Sequence, residues 1–147
     1  FDPDDWVEIY NNSMDAVDIS LWLLKDKDDE HIFTIPLNTV LLPNQFLVFC
    51  KDTSNFTHCF PDVIKYIGNI GFGLSGGSDM VRLYDSNGAV VDVVEYDDDD
   101  PWPISADGNG PTIELKNPSL DNEMSENWAA SKDYGTPGEL NSVFTNN

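Results

Sequence analysis

The residues best suited to chemistry in this sequence are carboxylates, and the densest set is the run Asp97-Asp98-Asp99-Asp100. Hard oxygen ligands on a loop suit Ca²⁺, which takes about six to eight oxygens. The run does not follow the EF-hand pattern D-x-[DN]-x-[DN]-G-x₅-E. In extended backbone alternate side chains face opposite ways, so no more than two of the four are expected to share an ion. Pro101 favours extended geometry at Asp100. The run is therefore expected to be a solvated loop, its repulsion screened by salt, with a weak calcium site as the alternative. Asp26, Asp28, Asp29 and Glu30 form a second acidic loop that departs from the EF-hand pattern in the same way.

Other chemistries find less support. His31 and His58 are the two histidines. His31 borders the charged loop and is expected to be solvated. His58 adjoins Cys59, but helix neighbours point about 100° apart, which disfavours a thiol–imidazole pair. No spacing among the 27 acids singles out an acid and a nucleophile for glycoside hydrolysis. Gly71, Gly73, Gly76 and Gly77 have no following Lys and no strand–loop–helix context, so a phosphate loop is not expected. The chain reads as no enzyme.

Cys50 and Cys59 admit two readings, a disulfide in an oxidising compartment or two buried free thiols. Zinc is unsupported, because C-x₈-C lacks a second ligand pair. Trp102, between Pro101 and Pro103, is a candidate aromatic anchor in an interface; core packing is the competing reading. Asn11-Asn12-Ser13 and Asn55-Phe56-Thr57 match the N-glycosylation pattern.

The elements that must position these groups are short strands between turns. Val7-Glu8-Ile9-Tyr10, Leu21-Trp22-Leu23-Leu24, Ile32-Phe33-Thr34-Ile35 and Phe46-Leu47-Val48-Phe49-Cys50 read as strands. Leu21 to Leu24 and Phe46 to Cys50 are apolar on both faces, as buried strands are. A helical turn is predicted near residues 54–60, capped by Thr53 or Ser54, with Phe56, Cys59 and Phe60 on one side. The Asp85-Ser86-Asn87-Gly88 turn predicts a hairpin between the runs starting at Met80 and Val90. Thr112-Ile113-Glu114-Leu115 and Trp128-Ala129-Ala130 complete the set. Many short strands with almost no helical period predict an antiparallel two-sheet β-sandwich. Val7, Ile9, Leu23, Leu47, Phe49, Val81, Leu83 and Leu115 are expected to face inward.

The 147 residues suit one domain, 1–147, with a core over about 5–141. Hydrophobic residues make up 40% and aromatics 12%, enough for a real core. Against 27 acids stand 7 basic residues, a net charge of −20. Such a field repels nucleic acid and anionic lipid; it is expected to be a plain solvated exterior, with cations or basic surfaces as partners the alternative. No run approaches the ~18 apolar residues of a membrane helix, so membrane insertion is not expected. A first residue of Phe1 rather than Met predicts a processed chain or a piece of a longer one.

The order of the motifs resembles the lamin tail domain family. Asp5-Trp6-Val7-Glu8-Ile9-Tyr10-Asn11 is similar to that family's opening strand. Val17-Asp18-Ile19-Ser20-Leu21-Trp22-Leu23-Leu24 is similar to its second, usually D-L-S-G-W, with Leu21 where the family has Gly. Leu42-Pro43-Asn44-Gln45-Phe46-Leu47-Val48, Gly73-Leu74-Ser75, Ser78-Asp79-Met80-Val81-Arg82-Leu83-Tyr84-Asp85 and Val91-Asp92-Val93-Val94-Glu95-Tyr96 follow in order. Trp102-Pro103, Thr112-Ile113-Glu114-Leu115, Asn127-Trp128 and Gly135-Thr136-Pro137-Gly138 complete the series, the last resembling bacterial members. The resemblance implies an immunoglobulin-like sandwich without a catalytic site. It implies a module of a secreted or surface-attached bacterial protein (extracellular, periplasmic or cell surface). Protein partners or neighbouring domains of the parent chain would then be its ligands. A calcium-dependent module for a ligand or carbohydrate is the alternative.

Overall fold

The computed structural model describes residues 1–75, 77–103 and 110–146. In chain order its strands are β1 (Trp6–Tyr10), β2 (Val17–Asp18), β3 (Leu23–Lys25), β4 (Ile32–Thr34), β5 (Val40–Leu41) and β6 (Phe46–Cys50). The helix α1 (Thr53–Cys59) follows, then β7 (Tyr66–Ile67), β8 (Asp79–Tyr84), β9 (Val90–Tyr96), β10 (Ile113–Leu115) and β11 (Trp128–Ala130). The order in one sheet is β4-β3-β8-β9, antiparallel throughout. The other main sheet is β1-β6-β7. Two small antiparallel pairs, β2–β5 and β10–β11, complete the set. Among the described residues no helix is long and apolar enough to cross a membrane.

The two main sheets enclose one core, as an immunoglobulin-like β-sandwich does. Leu24 and Leu83 come from the first sheet; Leu47, Phe49 and the partly buried Ile9 and Ile67 come from the second. Ile19, Ile35, Leu41, Ile70 and Phe72 fill the space between. Burial of each such side chain stabilises the fold by roughly 1.5–3 kcal/mol. On the outer face of the second sheet, Val48 and Cys50 pack against Phe56 of α1, with Trp6, Phe60 and Val63 around them. β6 is therefore covered on both faces, which is why its sequence is apolar without alternation.

Most expectations hold at the level of elements, and several shift in detail. The hairpin β8–β9 closes through Gly88 at φ 83°, with the Asp85 carboxylate accepting from the amides of Asn87 and Ala89. α1 forms where the helical turn was predicted, but Asp52 caps it. Asp52 is the last extended residue, and its carboxylate reaches the Asn55 amide at 2.9 Å. β7 lies parallel to β6, because residues 51–65 with α1 form a crossover rather than a hairpin.

The stretch Leu21 to Leu24 is not one buried strand. Leu21 is exposed at φ 65°, the left-handed region where the family's glycine is at ease, so the backbone keeps the glycine conformation without the glycine. The strand starts at Leu23, and Leu24 rather than Leu23 enters the core, opposite Phe33 and Leu83. Val7, Leu23 and Leu115 are half-buried and lie outside both clusters. In β10 the buried residue is Glu114 instead.

Candidate functional site

The acidic run sits where β9 ends, and the chain bends there rather than continuing extended. One oxygen each of Asp97, Asp98 and Asp99 lie within 4.8 Å of one another, so three carboxylates share a site where alternation allowed two. The bend has a local cause. Asp97 Oδ1 accepts from the amides of Asp98 at 2.8 Å and Asp99 at 3.3 Å, and the Trp102 amide donates to the Asp99 carbonyl. Asp100 does not join the group. Trp102 is half-buried, its ring centroid 6.2 Å from that of Trp128. The Trp128 indole in turn donates to the Asn122 carbonyl. Trp102 is thus one half of a ring pair rather than an isolated anchor.

In the second acidic loop Asp26 turns inward, while Asp28, Asp29 and Glu30 stay exposed. Asp26 is 4% exposed. Its Oδ1 accepts from the Asp28 amide, its Oδ2 lies 2.8 Å from His31 Nδ1, and its carbonyl takes Nε and Nη2 of Arg82. His31 is therefore an anchored residue and not a merely solvated one. Its ring stacks on Phe72, with an interplanar angle of 10°. The Asp26 hydrogen bond holds the His31 pKa above its ordinary value. Asp79, 3% exposed, accepts from the amides of Lys27, Ser75 and Met80. Burial, with Asp79, Asp5 and Asp26 nearby, pushes the Tyr96 phenol well above its usual range. The group ties the loop of residues 26–31 to β8.

A third acidic group secures the C-terminal turn. Buried Glu114 accepts from Thr136 Oγ1, Ser142 Oγ and the Ser142 amide. Glu8 Oε2 accepts from the Gly138 amide at 2.6 Å. Burial, helped by Glu114 and Glu139, pushes the Glu8 carboxyl up to about 7. Cys50 and Cys59 are both free thiols. Cys50 is fully buried beneath α1 and Cys59 half-buried at its end, and burial raises the Cys50 pKa. His58 is exposed on α1. Asn11, of the first glycosylation pattern, is buried with its amide donating to the carbonyls of Asp15 and Leu41.

A surface feature absent from the sequence expectations is a groove of about 260 Å³ between β5 and β7. Leu41, Leu47 and Ile67 are among its lining residues, and so are Val40, Ile64 and Tyr66. Val40 is 43% and Ile64 87% exposed. Leu37 and Leu42, on either side of β5 in the chain, are also exposed. A wider hollow of about 640 Å³ adjoins it, sharing Ile64 and Lys65 and lined further along by Asp62 and Glu139. One signal was present in the sequence. Val63-Ile64-Lys65-Tyr66-Ile67, between Pro61 and Gly68, has the composition of a short strand.

A family model described as Lamin Tail Domain matches residues 1–98. The matched span runs from β1 through β9 and takes in the groove; the β10–β11 pair and the C-terminal turn lie beyond it. A search of curated proteins found no match.

Proposed function

We propose that this chain, which belongs to the lamin tail domain family, works as a non-catalytic interaction module of a larger secreted or cell-surface protein, mediating protein–protein association or display. The immunoglobulin-like fold of that family is a non-catalytic domain type. One observation carries the proposal: exposed apolar side chains gather about the β5–β7 groove on a chain of net charge −20. Apolar patches rimmed by polar residues mark interaction sites. The partners in this reading are proteins or neighbouring domains of the parent chain. A bacterial parent, with the module outside the cytoplasm, follows from the likeness of residues 135–138 to bacterial members. Photo-crosslinking tests the reading, with a benzophenone residue at Leu42 of the parent protein in its producing cells. An adduct to another domain or protein is expected, above the yield from Asn87 at the hairpin tip. Equal yields from the two positions would sink it.

A second reading, a calcium-dependent ligand- or carbohydrate-binding module, draws on the convergence of Asp97, Asp98 and Asp99. It requires that 5 mM CaCl₂ raise the Tm by several degrees more than MgCl₂ in excess NaCl. Asp97→Asn with Asp99→Asn would have to abolish the difference. Equal shifts with both ions would reject it.

A further inference from the structure

We infer that the β5–β7 groove takes an extended segment of a basic partner protein, added as a strand between β5 and β7; this deepens the interaction-module reading and rests on it. The backbone carries the argument. Among the described residues β7 pairs only with β6, and the Val48 amide donates to the Lys65 carbonyl. In a parallel ladder with Val48 opposite Tyr66 and Phe49 opposite Ile67, the peptide groups of Tyr66 point away from β6. Among the described residues β5 pairs only with β2, and the Ile19 amide donates to the Thr39 carbonyl. With Val17 opposite Leu41 and Asp18 opposite Val40, the peptide groups of Val40 point away from β2. The register leaves the N–H and C=O of both residues out of these two ladders, and no turn or loop hydrogen bond among the described residues engages them. Both residues line the same groove.

Two open strand edges on one apolar groove form a template for strand addition. A segment laid there would satisfy donors and acceptors on both sides at once. Alternate side chains would face Leu41, Leu47 and Ile67, so an apolar residue is wanted at every second position. The flanking charge selects the occupant. Asp18 stands opposite Val40 in the β2–β5 pair, and Asp62 and Glu139 line the adjoining hollow, against Lys65 as the groove's cation. Basic residues on either side of the apolar stretch meet this arrangement and are steered by the net charge of −20. A second copy of the chain brings another −20 and is disfavoured on the same ground.

The test selects binders to the whole chain from a library of peptides with two lysines at each end and a randomised five-residue centre. Enriched peptides are expected to alternate Val or Ile with polar residues and to bind more weakly as NaCl rises. Methylating either alternate set of amides within the five-residue centre should weaken binding about tenfold, since one set faces β5 and the other β7, and methylating the amides of the flanking lysines should not. Val40→Lys and Ile64→Lys each alter an exposed side chain, the first opposite Asp18, and should leave the Tm in place, yet cost about tenfold or more in affinity for the basic peptides. Bound peptide should slow hydrogen exchange at the Val40 and Tyr66 amides. Peptides whose binding survives both variants would overturn the groove as the site while leaving the interaction-module reading intact. No enrichment would also overturn it, and photo-crosslinking judges the broader reading separately. Self-association that both variants abolish would replace the basic partner by a second copy.

Discussion

Two acidic regions of this molecule have similar composition and opposite fates. Asp26 and Asp79 are buried, and their carboxylates accept from the amides of Lys27, Asp28, Ser75 and Met80 and from His31. Asp97 and Asp99 are exposed, and the amides that Asp97 accepts from belong to its own bend. Donors from beyond the adjacent turn separate the two: the Lys27 amide for Asp79 and the His31 ring for Asp26, against the amides of Asp98 and Asp99 for Asp97. A buried charge is tolerated where several hydrogen bonds replace its water, and an exposed one keeps its water. The inner acids hold loops to strands; the outer ones contribute mainly charge.

Removing an inner acid should give the largest effect. Asp79→Ala leaves three amide donors without their acceptor and should cost about 3 kcal/mol in urea unfolding. A cost below 1 kcal/mol would show that water enters and that the division between inner and outer acids is false.

Glu8 sharpens the comparison, since its carboxyl lies between the two cases. Its folded pKa, about 7, stands above the 4.5 of the unfolded chain, so the folded state holds the proton more tightly. That contribution is full below pH 4.5 and is lost as pH rises through about 7. Glu8→Gln keeps an acceptor for the Gly138 amide and carries no charge. It should be the more stable form at pH 8, by on the order of 1 kcal/mol, and lose that advantage at pH 4. An advantage independent of pH would contradict the assignment.

His31 offers a subtler probe of Asp26. With its folded pKa raised, its contribution is present below pH 6.5 and fades as pH rises through the folded value. An NMR titration should place His31 above the ordinary histidine value of about 6.5, and Asp26→Asn should bring it down. A titration at or below that value in the unaltered protein would break the inner-acid assignment for that loop. The smallest effect is expected from the outer acids. Asp97→Asn with Asp99→Asn should change stability by no more than about 0.5 kcal/mol in 0.15 M NaCl. A loss above 1 kcal/mol would make the bend at 97–99 a structural element like the loop of residues 26–31.

The strands legible in the sequence were those whose own chemistry is sufficient. The β8–β9 hairpin needed only β-rich runs about an Asn-Gly turn, and β6 needed only a continuous apolar run. The helix was legible through Phe56, although its cap fell to Asp52, one residue earlier than the hydroxyls considered. β7 was not legible, since two residues are too short for a period and its parallel partner lies across a crossover. The site was legible only in part. The run at 97–100 was visible as charge, but the convergence of three carboxylates depended on a bend made by Asp97 itself. The Asp26–His31 contact joins residues five apart, yet it is burial beneath β8 and Phe72 that makes it structural.

By itself the sequence determined a β-sandwich core, a net charge of −20, and the order of motifs that marks the family. These follow from local periodicity, turn chemistry and summed charge, which need no knowledge of distant neighbours. The tertiary structure alone decided which acids lie inside, which leucine of the pair Leu23 and Leu24 meets the core, and that β5 and β7, among the described residues, leave open edges on one groove. Each depends on which strands become neighbours. A one-residue change of register turns every side chain to the other face, and a strand edge stays open only if no other strand reaches it.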